Sequence, residues 1–563
     1  MSARASAPTI AVAATLVVMA AFILVPIGFI AYGAVRSDLP GAPDAQWTLE
    51  ALQKVFATGP FLLSLGGTVG LAALVAALAV GFGALFAWLL ARTDLKGKGF
   101  LEIVVLAPLF LSPLVSALAW IMLAGPRAGM INVTLRTLIG VRNITIVDST
   151  SLGGVVFVMT LSFIPYGYLF ASSAFKTLDA SFEEAAAMSG ATPFRAALHI
   201  AWPVARPTVA GAFFLIAVLA CGMFSIPAVL GGGLPFIPLA VRIERAIDLS
   251  PADYAVAASI GIEVMLVSIA GLALYRRAIR GAGKFVSITG KSSRPKMVAL
   301  GGLKPLAAGF FWLYGLLAIV LPYAALLMTA FTPYVITDLR RLRFSFKAFE
   351  DVATSTNTYT ALENTLALGF LAPTCCVIFA LAVSYGSSQS NSRLSALTDY
   401  VATVPVAIPG IVFGTGMVWA YIATPLYATF WILLLAFVVH YLPYTYRLAS
   451  TAAMQIDKGL VEAARVLGST RDAAWAKITL PLSRPALFSA WILVFVFVVR
   501  EVDVVIVLAS PLTVLLSIAT FNADQFGALQ TAAVLGLIQT LVLLAGILVA
   551  RFVFRARLRT VEF

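Results

Sequence analysis

The sequence predicts an all-α polytopic membrane protein with about twelve transmembrane helices, arranged as two six-helix halves. The first observation is composition: 61% of the 563 residues are hydrophobic and only 11% are charged, whereas about a quarter of an ordinary soluble domain is charged. The second is a recurrence of apolar runs of about 20 residues, each long enough to cross a bilayer as a helix. The third is an internal repeat that divides the chain in two.

The apolar runs give the expected spans, with ends uncertain by several residues. They lie near 9–35, 61–91, 100–123, 152–175, 208–230, 256–276, 306–331, 361–385, 397–422, 428–449, 486–508 and 531–553. With the N-terminus inside, the cytoplasmic loops hold about 26 of the 38 Lys and Arg residues. The net charge of +13 therefore follows membrane topology and indicates no nucleic-acid partner. The charge distribution predicts a multi-pass protein in the lipid bilayer, with both termini in the cytoplasm.

The repeat is clearest in two polar segments, 183–207 and 461–485, which match at a constant separation of 278 residues. It continues into the preceding span, where two prolines and two tyrosines align. These pairs are Pro165 with Pro443 and Tyr166 with Tyr444. A span and its following cytoplasmic loop are thus repeated together.

The chain therefore divides into two halves and a connector. We expect a first six-span half at 1–278 with a polar loop at 179–207, a basic cytoplasmic linker at 279–304, and a second six-span half at 305–563 with a polar loop at 457–485. The linker is rich in Gly, Ser, Lys and Arg, which suits a solvated connector.

Each repeated loop is predicted to form two short helices joined by a turn. In the first copy Ser181 and Glu184 make a capping box, Gly190 is the left-handed turn, Thr192 caps the second helix and Pro203 stops it. In the second copy the corresponding roles fall to Gly459 as N-cap, Glu462, Gly468 as the turn and Thr470 as the next cap.

These motifs resemble the EAA-loop permeases of binding-protein-dependent ABC importers, in the fused form with both halves on one chain. The family pattern is Glu-Ala-Ala, then Gly six residues after the Glu, then Ile-x-x-Pro beginning ten residues after the Gly. The matching residues are Glu184, Ala185, Ala186, Gly190, Ile200 and Pro203, and again Glu462, Ala463, Ala464, Gly468, Ile478 and Pro481. The chain departs from the pattern at Trp202, where the family usually has Leu.

The resemblance implies a type I importer fold in the bacterial inner (cytoplasmic) membrane and a set of partners. Each EAA loop would dock on one of two copies of a separate ABC ATPase, which binds ATP and Mg, and a periplasmic or extracellular solute-binding protein would deliver the solute. The chain itself would hold no cofactor and no metal and would not be an enzyme. An ion-coupled secondary transporter fits the span count equally well, but it gives no reason for paired EAA loops.

The solute is suggested by further similarity. The stretches "SPLVSALAWIMLAGPRAGMIN" and "SIPAVLGGG" are similar to the ferric-iron and thiamine permease group, which makes ferric iron the first expectation. Thiamine, 2-aminoethylphosphonate and other small polar solutes are the alternatives.

Charged residues within a span are costly and mark candidate pathway positions. Arg500, Glu501 and Asp503 fall about 15 residues into the eleventh span. Arg500 and Asp503 are three residues apart and could pair on one helix face. Two interpretations stay open: a self-neutralised cluster that packs the bundle, or part of a gate or solute pathway. Glu263, in the sixth span, is a lone carboxylate expected near an outer edge.

Proline and tyrosine in the fourth and tenth spans are the other pathway or gate candidates. Pro165 and Pro443 would free main-chain carbonyls and kink their helices, which suits a moving gate. Tyr166 and Tyr444 serve either that gate or ordinary packing. No spacing of side chains suggests a metal site or a nucleophile with its base, so no catalytic residue is expected.

Overall fold

A computed structural model gives the fold. It describes residues 7–40, 44–140, 145–177, 202–280, 297–334, 343–389 and 404–554, together with positions 42, 188, 190, 195, 199, 397 and 400–402. Most of the basic linker lies outside these ranges, and so do four residues of the first EAA motif. Those four are Glu184, Ala185, Ala186 and Ile200.

Within the described residues the chain is an all-helical membrane bundle. Nine helices are long and apolar enough to cross a membrane, and a tenth span is a pair of helices bent by 96°. The two other expected spans correspond to helix Ala7–Gly33 and to the short helix Gly410–Tyr421.

The spans follow the same order in the two halves, and the first half has an additional helix, Met130–Ile139, in its outer loop. The helices of the first half are Ala7–Gly33, Glu50–Ala57, Gly59–Arg92, Lys98–Leu106, Pro113–Ala124, Met130–Ile139, Leu152–Thr177, Trp202–Cys221, Ser225–Leu230, Leu239–Asp248 and Tyr254–Ile279. Those of the second half are Lys304–Gly315, Leu321–Ala330, Lys347–Thr354, Thr356–Gln389, Gly410–Tyr421, Phe430–Met454, Lys458–Val466, Arg471–Ala474, Leu480–Arg500, Leu516–Gln525 and Leu529–Phe554.

The first span of each half packs against the opposite half. Helix Ala7–Gly33 lies on Gly410–Tyr421, and Leu321–Ala330 lies on Pro113–Ala124. The approach is close: a β-carbon at Gly33 would stand 2.4 Å from the ring of Trp419. Each half therefore clasps the other, which ties the two into one body.

Four spans expected to be continuous are broken. The third bends between Phe110 and Pro113, after a 3-10 turn. In the ninth, a 3-10 turn at Val404–Ala407 precedes helix Gly410–Tyr421. The fifth ends at Cys221 and the eleventh at Arg500. The continuous spans expected at 100–123, 208–230, 397–422 and 486–508 are therefore wrong in their middles. Hydropathy misses the breaks because each run stays mostly apolar beyond its break, even where charged residues follow Arg500.

The end of the linker is attached to the first half. Asp94 bonds Lys304 with a Nζ–Oδ2 distance of 2.7 Å and accepts a hydrogen bond of 3.0 Å from the main-chain N–H of Leu300. The main-chain N–H of Val298 donates to the carbonyl of Arg92 at 2.8 Å. The cytoplasmic loop of the first half thus fixes where the second half begins.

Candidate functional site

A central cavity of about 160 Å³ lies between the halves, at the level where the spans break. This volume has room for several water molecules. Its lining comes from equivalent positions of the two halves. The pairs, first half then second, are Pro113 and Pro409, Phe163 and Tyr441, Tyr166 and Tyr444, Leu219 and Phe497, Gly222 and Arg500, Met223 and Glu501, and Ser225 and Asp503.

The second half supplies all the charged side chains of this lining. Arg500, Glu501 and Asp503 stand where the first half has glycine, methionine and serine. His440 and Tyr441 also come from the second half. The cavity is therefore built on a pseudo-two-fold frame but is chemically one-sided.

Arg500 binds the first half at the break of its third span. One terminal nitrogen of its guanidinium donates to the carbonyls of Leu109 and Leu111, at 2.5 and 3.0 Å. The other lies 3.5 Å from the hydroxyl of Tyr166, and the group stacks over the ring of Phe497 at 5.0 Å. A helix end leaves carbonyls unpaired, so Arg500 satisfies across the interface what the bend exposes.

The corresponding contact in the first half is made without charge. Gly222 occupies the position of Arg500, and a β-carbon there would stand 2.4 Å from Cβ of Pro409. The second half's break therefore approaches the first half's main chain directly. At one of the two equivalent positions the Arg500 guanidinium bridges the halves. At the other, Gly222 has no side chain and the halves pack directly against each other.

The two carboxylates have separate partners. Glu501 accepts from the N–H of Val504 at 2.9 Å and from the phenol of Tyr441. Asp503 accepts from the hydroxyl of Ser225 at 2.7 Å and from the N–H of Phe224 at 3.4 Å. Since Ser225 and Asp503 are equivalent residues, this bond lies on the pseudo-two-fold axis.

These contacts correct one expectation. Among the described residues Arg500 and Asp503 form no ion pair, because each is bonded to the other half of the protein. Glu263 is buried, at 2% exposure, and neither of its carboxylate oxygens has a hydrogen-bond partner in the described part of the chain.

Pro165 and Pro443 both lie inside unbroken helices, Leu152–Thr177 and Phe430–Met454. Tyr166 and Tyr444 each point from those helices to the cavity lining. Sequence reasoning did not single out Tyr441 and Ser225, because their roles depend on partners 60 and 278 residues away.

The second EAA loop has the expected turn. The N–H of Gly468 bonds the carbonyl of Arg465 and that of Ser469 bonds Ala464, which is a Schellman motif. Gly468 has φ +89°, and Gly190, its counterpart in the first loop, has φ +81°. Thr470 accepts from the N–H of Ala473 at 3.2 Å, as a cap should.

Two details of this loop differ from expectation. The first N-cap is Asp457, whose carboxylate accepts from the N–H of Gly459, because Asp caps better than Gly with a side-chain oxygen. Pro203 of the first loop does not stop a helix, because it is the second residue of helix Trp202–Cys221. Its counterpart Pro481 likewise follows a π-helical turn, Trp475–Thr479, that continues into the span Leu480–Arg500. Proline is tolerated there because it lies in the first turn of the new α-helical segment.

The EAA loops present apolar side chains to the outside of the bundle. Val466 and Leu467 are each 86% exposed, and Met188, which aligns with Val466, is 92% exposed. Glu462 and Ala463 are exposed too, while Ala464, Ile478 and Pro481 are half-buried and Pro203 is exposed. Such a surface favours a protein partner.

The second EAA loop is also tied to its own half. The phenol of Tyr385 donates to Asp472, and its ring meets that of Trp475 at 4.8 Å between centroids. The aligned positions in the first copy are Phe194 and Ala197, which cannot form that hydrogen bond. The sequence of the first copy therefore offers no carboxylate at position 194 for an equivalent hydrogen bond.

The duplicated halves, the paired EAA loops and the cavity between the halves define a two-half membrane permease. The family described as "Binding-protein-dependent transport system inner membrane component" matches this chain twice, over residues 79–283 and 377–560. The chain belongs to this family as a fused permease of an ABC importer. The family assignment also decides against an ion-coupled secondary transporter.

Several relatives resemble the chain over most of its length. The ferric transport system permease protein of Actinobacillus pleuropneumoniae is 27% identical over 86% of this chain and 69% of its own. A putative ferric transport system permease of Haemophilus influenzae is 28% identical over 80% and 69%. A second Fe(3+)-transport permease of that organism is 25% identical over 83% and 85%.

The turn of the second EAA loop gives a first prediction. At Gly468 a side chain meets no atom within 4 Å, so substitution acts only through the left-handed backbone, at about 1–2 kcal/mol. We expect Gly468→Val to leave the protein inserted but to lower ATP-driven uptake about fivefold or more. Gly468→Asn, which tolerates this conformation, is the matched control. Equal uptake by both variants and the wild type would contradict the role of the turn.

The contacts of Arg500 give a second prediction. Arg500→Met leaves the carbonyls of Leu109 and Leu111 unpaired, at about 1–3 kcal/mol, and should lower both thermal stability in detergent and uptake. Adding Asp503→Leu should not restore either, since Asp503 bonds Ser225 instead. A double-mutant cycle measures this coupling; recovery in the double variant would show that the two charges neutralise each other.

Proposed function

We propose that this permease conducts ferric iron through the central cavity. The single observation that carries the proposal is the chemistry of the lining: two carboxylates and three phenols, from Glu501, Asp503, Tyr166, Tyr441 and Tyr444, face one small space. Hard cations take oxygen ligands, and a trivalent cation is among the hardest. The relatives named as ferric transport permeases support the same solute.

Passage requires contacts that are favourable but brief. Each carboxylate is already held by a hydrogen bond from its own surroundings, Glu501 by Tyr441 and Asp503 by Ser225. An ion entering the cavity would exchange those bonds for its own, and the protein would recover them when the ion leaves. Arg500 keeps the local charge from becoming strongly negative, which disfavours tight retention.

The proposed partners follow from the EAA loops. Two copies of an ABC ATPase would bind the exposed loop surfaces, and ATP with Mg would bind to those subunits and not to this chain. The tie of Tyr385 to Asp472 would carry motion of the second loop into helix Thr356–Gln389. A solute-binding protein would deliver the iron at the outer face, with both termini of the permease in the cytoplasm.

The test is uptake of radioactive Fe(III) into vesicles holding the permease, its ATPase and its binding protein. Glu501→Gln and Asp503→Asn keep shape and hydrogen-bond acceptors but remove charge, and each should lower uptake about tenfold, equivalent to ~1.4 kcal/mol. Glu263→Gln is the matched control, a buried carboxylate in a span outside the cavity lining. Its uptake should stay near that of the wild type.

Two results would contradict the proposal. One is ATP-dependent uptake of thiamine or 2-aminoethylphosphonate by the same vesicles without uptake of iron. The other is an equal loss of iron uptake in Glu263→Gln and in the two cavity variants.

A further inference from the structure

A second repeated feature lies outside the EAA loops, at the other end of the bundle. Helices Glu50–Ala57 and Lys347–Thr354 are eight residues each and directly precede the second span of their halves. We call them the outer helices, because they lie at the opposite ends of the spans from the EAA loops. None of the residues that line the central cavity belongs to them, and neither does any described residue of the EAA motifs.

The outer helices are copies of one another in detail. Each is preceded by a hydroxyl that accepts from the first helical N–H: Thr48 from Glu50 and Ser345 from Lys347, both at 3.1 Å. Each buries an alanine and a valine against the sixth span of its own half. The buried pairs are Ala51 with Val55 and Ala348 with Val352.

A second apolar stripe on each helix is only partly covered by protein. Leu52 and its counterpart Phe349 are half-buried against the bundle, whereas Leu49, Phe56 and Phe346 are exposed. In the first half Leu49, Leu52 and Phe56 share one face, with exposures of 56% for Leu49 and 40% for Phe56. In the second half Phe346 and Phe349 occupy the aligned places, and Phe346 is 72% exposed. The charged residues, such as Glu50 and Lys347, lie on a different face.

Exposed aromatic residues stand just before both helices. Trp47 is 69% exposed and the aligned Phe344 is 73% exposed. The ring of Trp47 packs against that of Tyr32 at 5.5 Å between centroids. The guanidinium of Arg36 lies over the Trp47 ring, 5.1 Å from its centroid. In the second half Phe346 meets Phe331 at 5.4 Å. Tyr32 and Phe331 lie at the outer ends of the first spans, so each cluster marks the same boundary.

We propose that the outer helices are interfacial anchors that lie in the lipid headgroup layer of the outer leaflet, one in each half. Aromatic and arginine side chains concentrate at that depth, and an amphipathic helix there buries its apolar stripe among the acyl chains. The exposed apolar surface continues from Phe56 into Leu62 and Leu63 at the start of the next span. That continuity favours lipid over a protein partner as the occupant.

The anchors would hold the outer ends of both halves at a fixed depth. Since each outer helix packs on a sixth span and leads into a second span, it would restrain that end while the EAA loops move at the cytoplasmic end. The two halves would then pivot from the outer leaflet.

Depth measurements by electron paramagnetic resonance test the proposal. The full chain, with Cys221, Cys375 and Cys376 replaced by alanine, carries a nitroxide at Leu49→Cys or Phe346→Cys in phosphatidylcholine and phosphatidylglycerol vesicles without partners. The controls are Glu50→Cys and Lys347→Cys, aligned positions on the charged faces. We expect collisions with oxygen to exceed those with a soluble nickel chelate at Leu49 and Phe346, and the reverse at the controls.

Chelate access at Leu49 and Phe346 equal to that at the controls would overturn the proposal. So would chelate access that disappears only when the solute-binding protein is added, because the stripe would then be a protein interface. All four labelled positions are exposed, so the labels leave the packed core unchanged, and the cysteine-free background is the same in every arm.

Discussion

The architecture depends on one constraint: a helix that ends inside a bilayer must have its free main-chain groups satisfied by protein. This permease breaks its third, fifth, ninth and eleventh spans at the interface between the halves. The free carbonyls of Leu109 and Leu111 are met by Arg500 from the other half. The break in one half is therefore stable only while the other half stays in register. A change in the relative position of the halves would leave these carbonyls without their partner.

The duplication explains the frame, and divergence explains the chemistry. Ser225 and Asp503 are the same position in two copies, and they bond each other across the pseudo-two-fold axis. In a symmetric dimer that position would place two identical side chains together, either two serines or two carboxylates. Fusion into one chain lets the halves differ, so the second can supply charge where the first supplies small or neutral groups. The first span of each half packs on the opposite half. This arrangement holds the charged surface of the second half against the neutral surface of the first.

Sequence alone reached the duplication, the two halves and the local form of the EAA loops. Those features are local or repeated. The hydrogen bonds of the turn at Gly468 and of the cap at Thr470 join residues within five positions of each other. A motif that occurs twice at one separation is also unlikely to be a chance match. The breaks and the cavity were not predictable in the same way. Arg500 finds its acceptor 391 residues away, and nothing in "VVREVDVV" distinguishes that partner from the nearby Asp503. The N-cap of the second EAA loop is Asp457, two residues before the predicted Gly459. Both residue types are common N-caps, so the sequence does not decide between them.

The most direct test of the account is whether a group attached inside the central cavity stops transport. Met223, half-buried in the lining, is changed to cysteine in a chain whose native cysteines are alanine, and is then labelled with a maleimide. The control is Leu249→Cys, a position 59% exposed in the loop before the sixth span and outside the lining. If solute crosses between the halves, uptake falls in proportion to the labelled fraction at Met223 and is unchanged by labelling at Leu249. Full uptake by completely labelled Met223→Cys protein would contradict a route through this cavity.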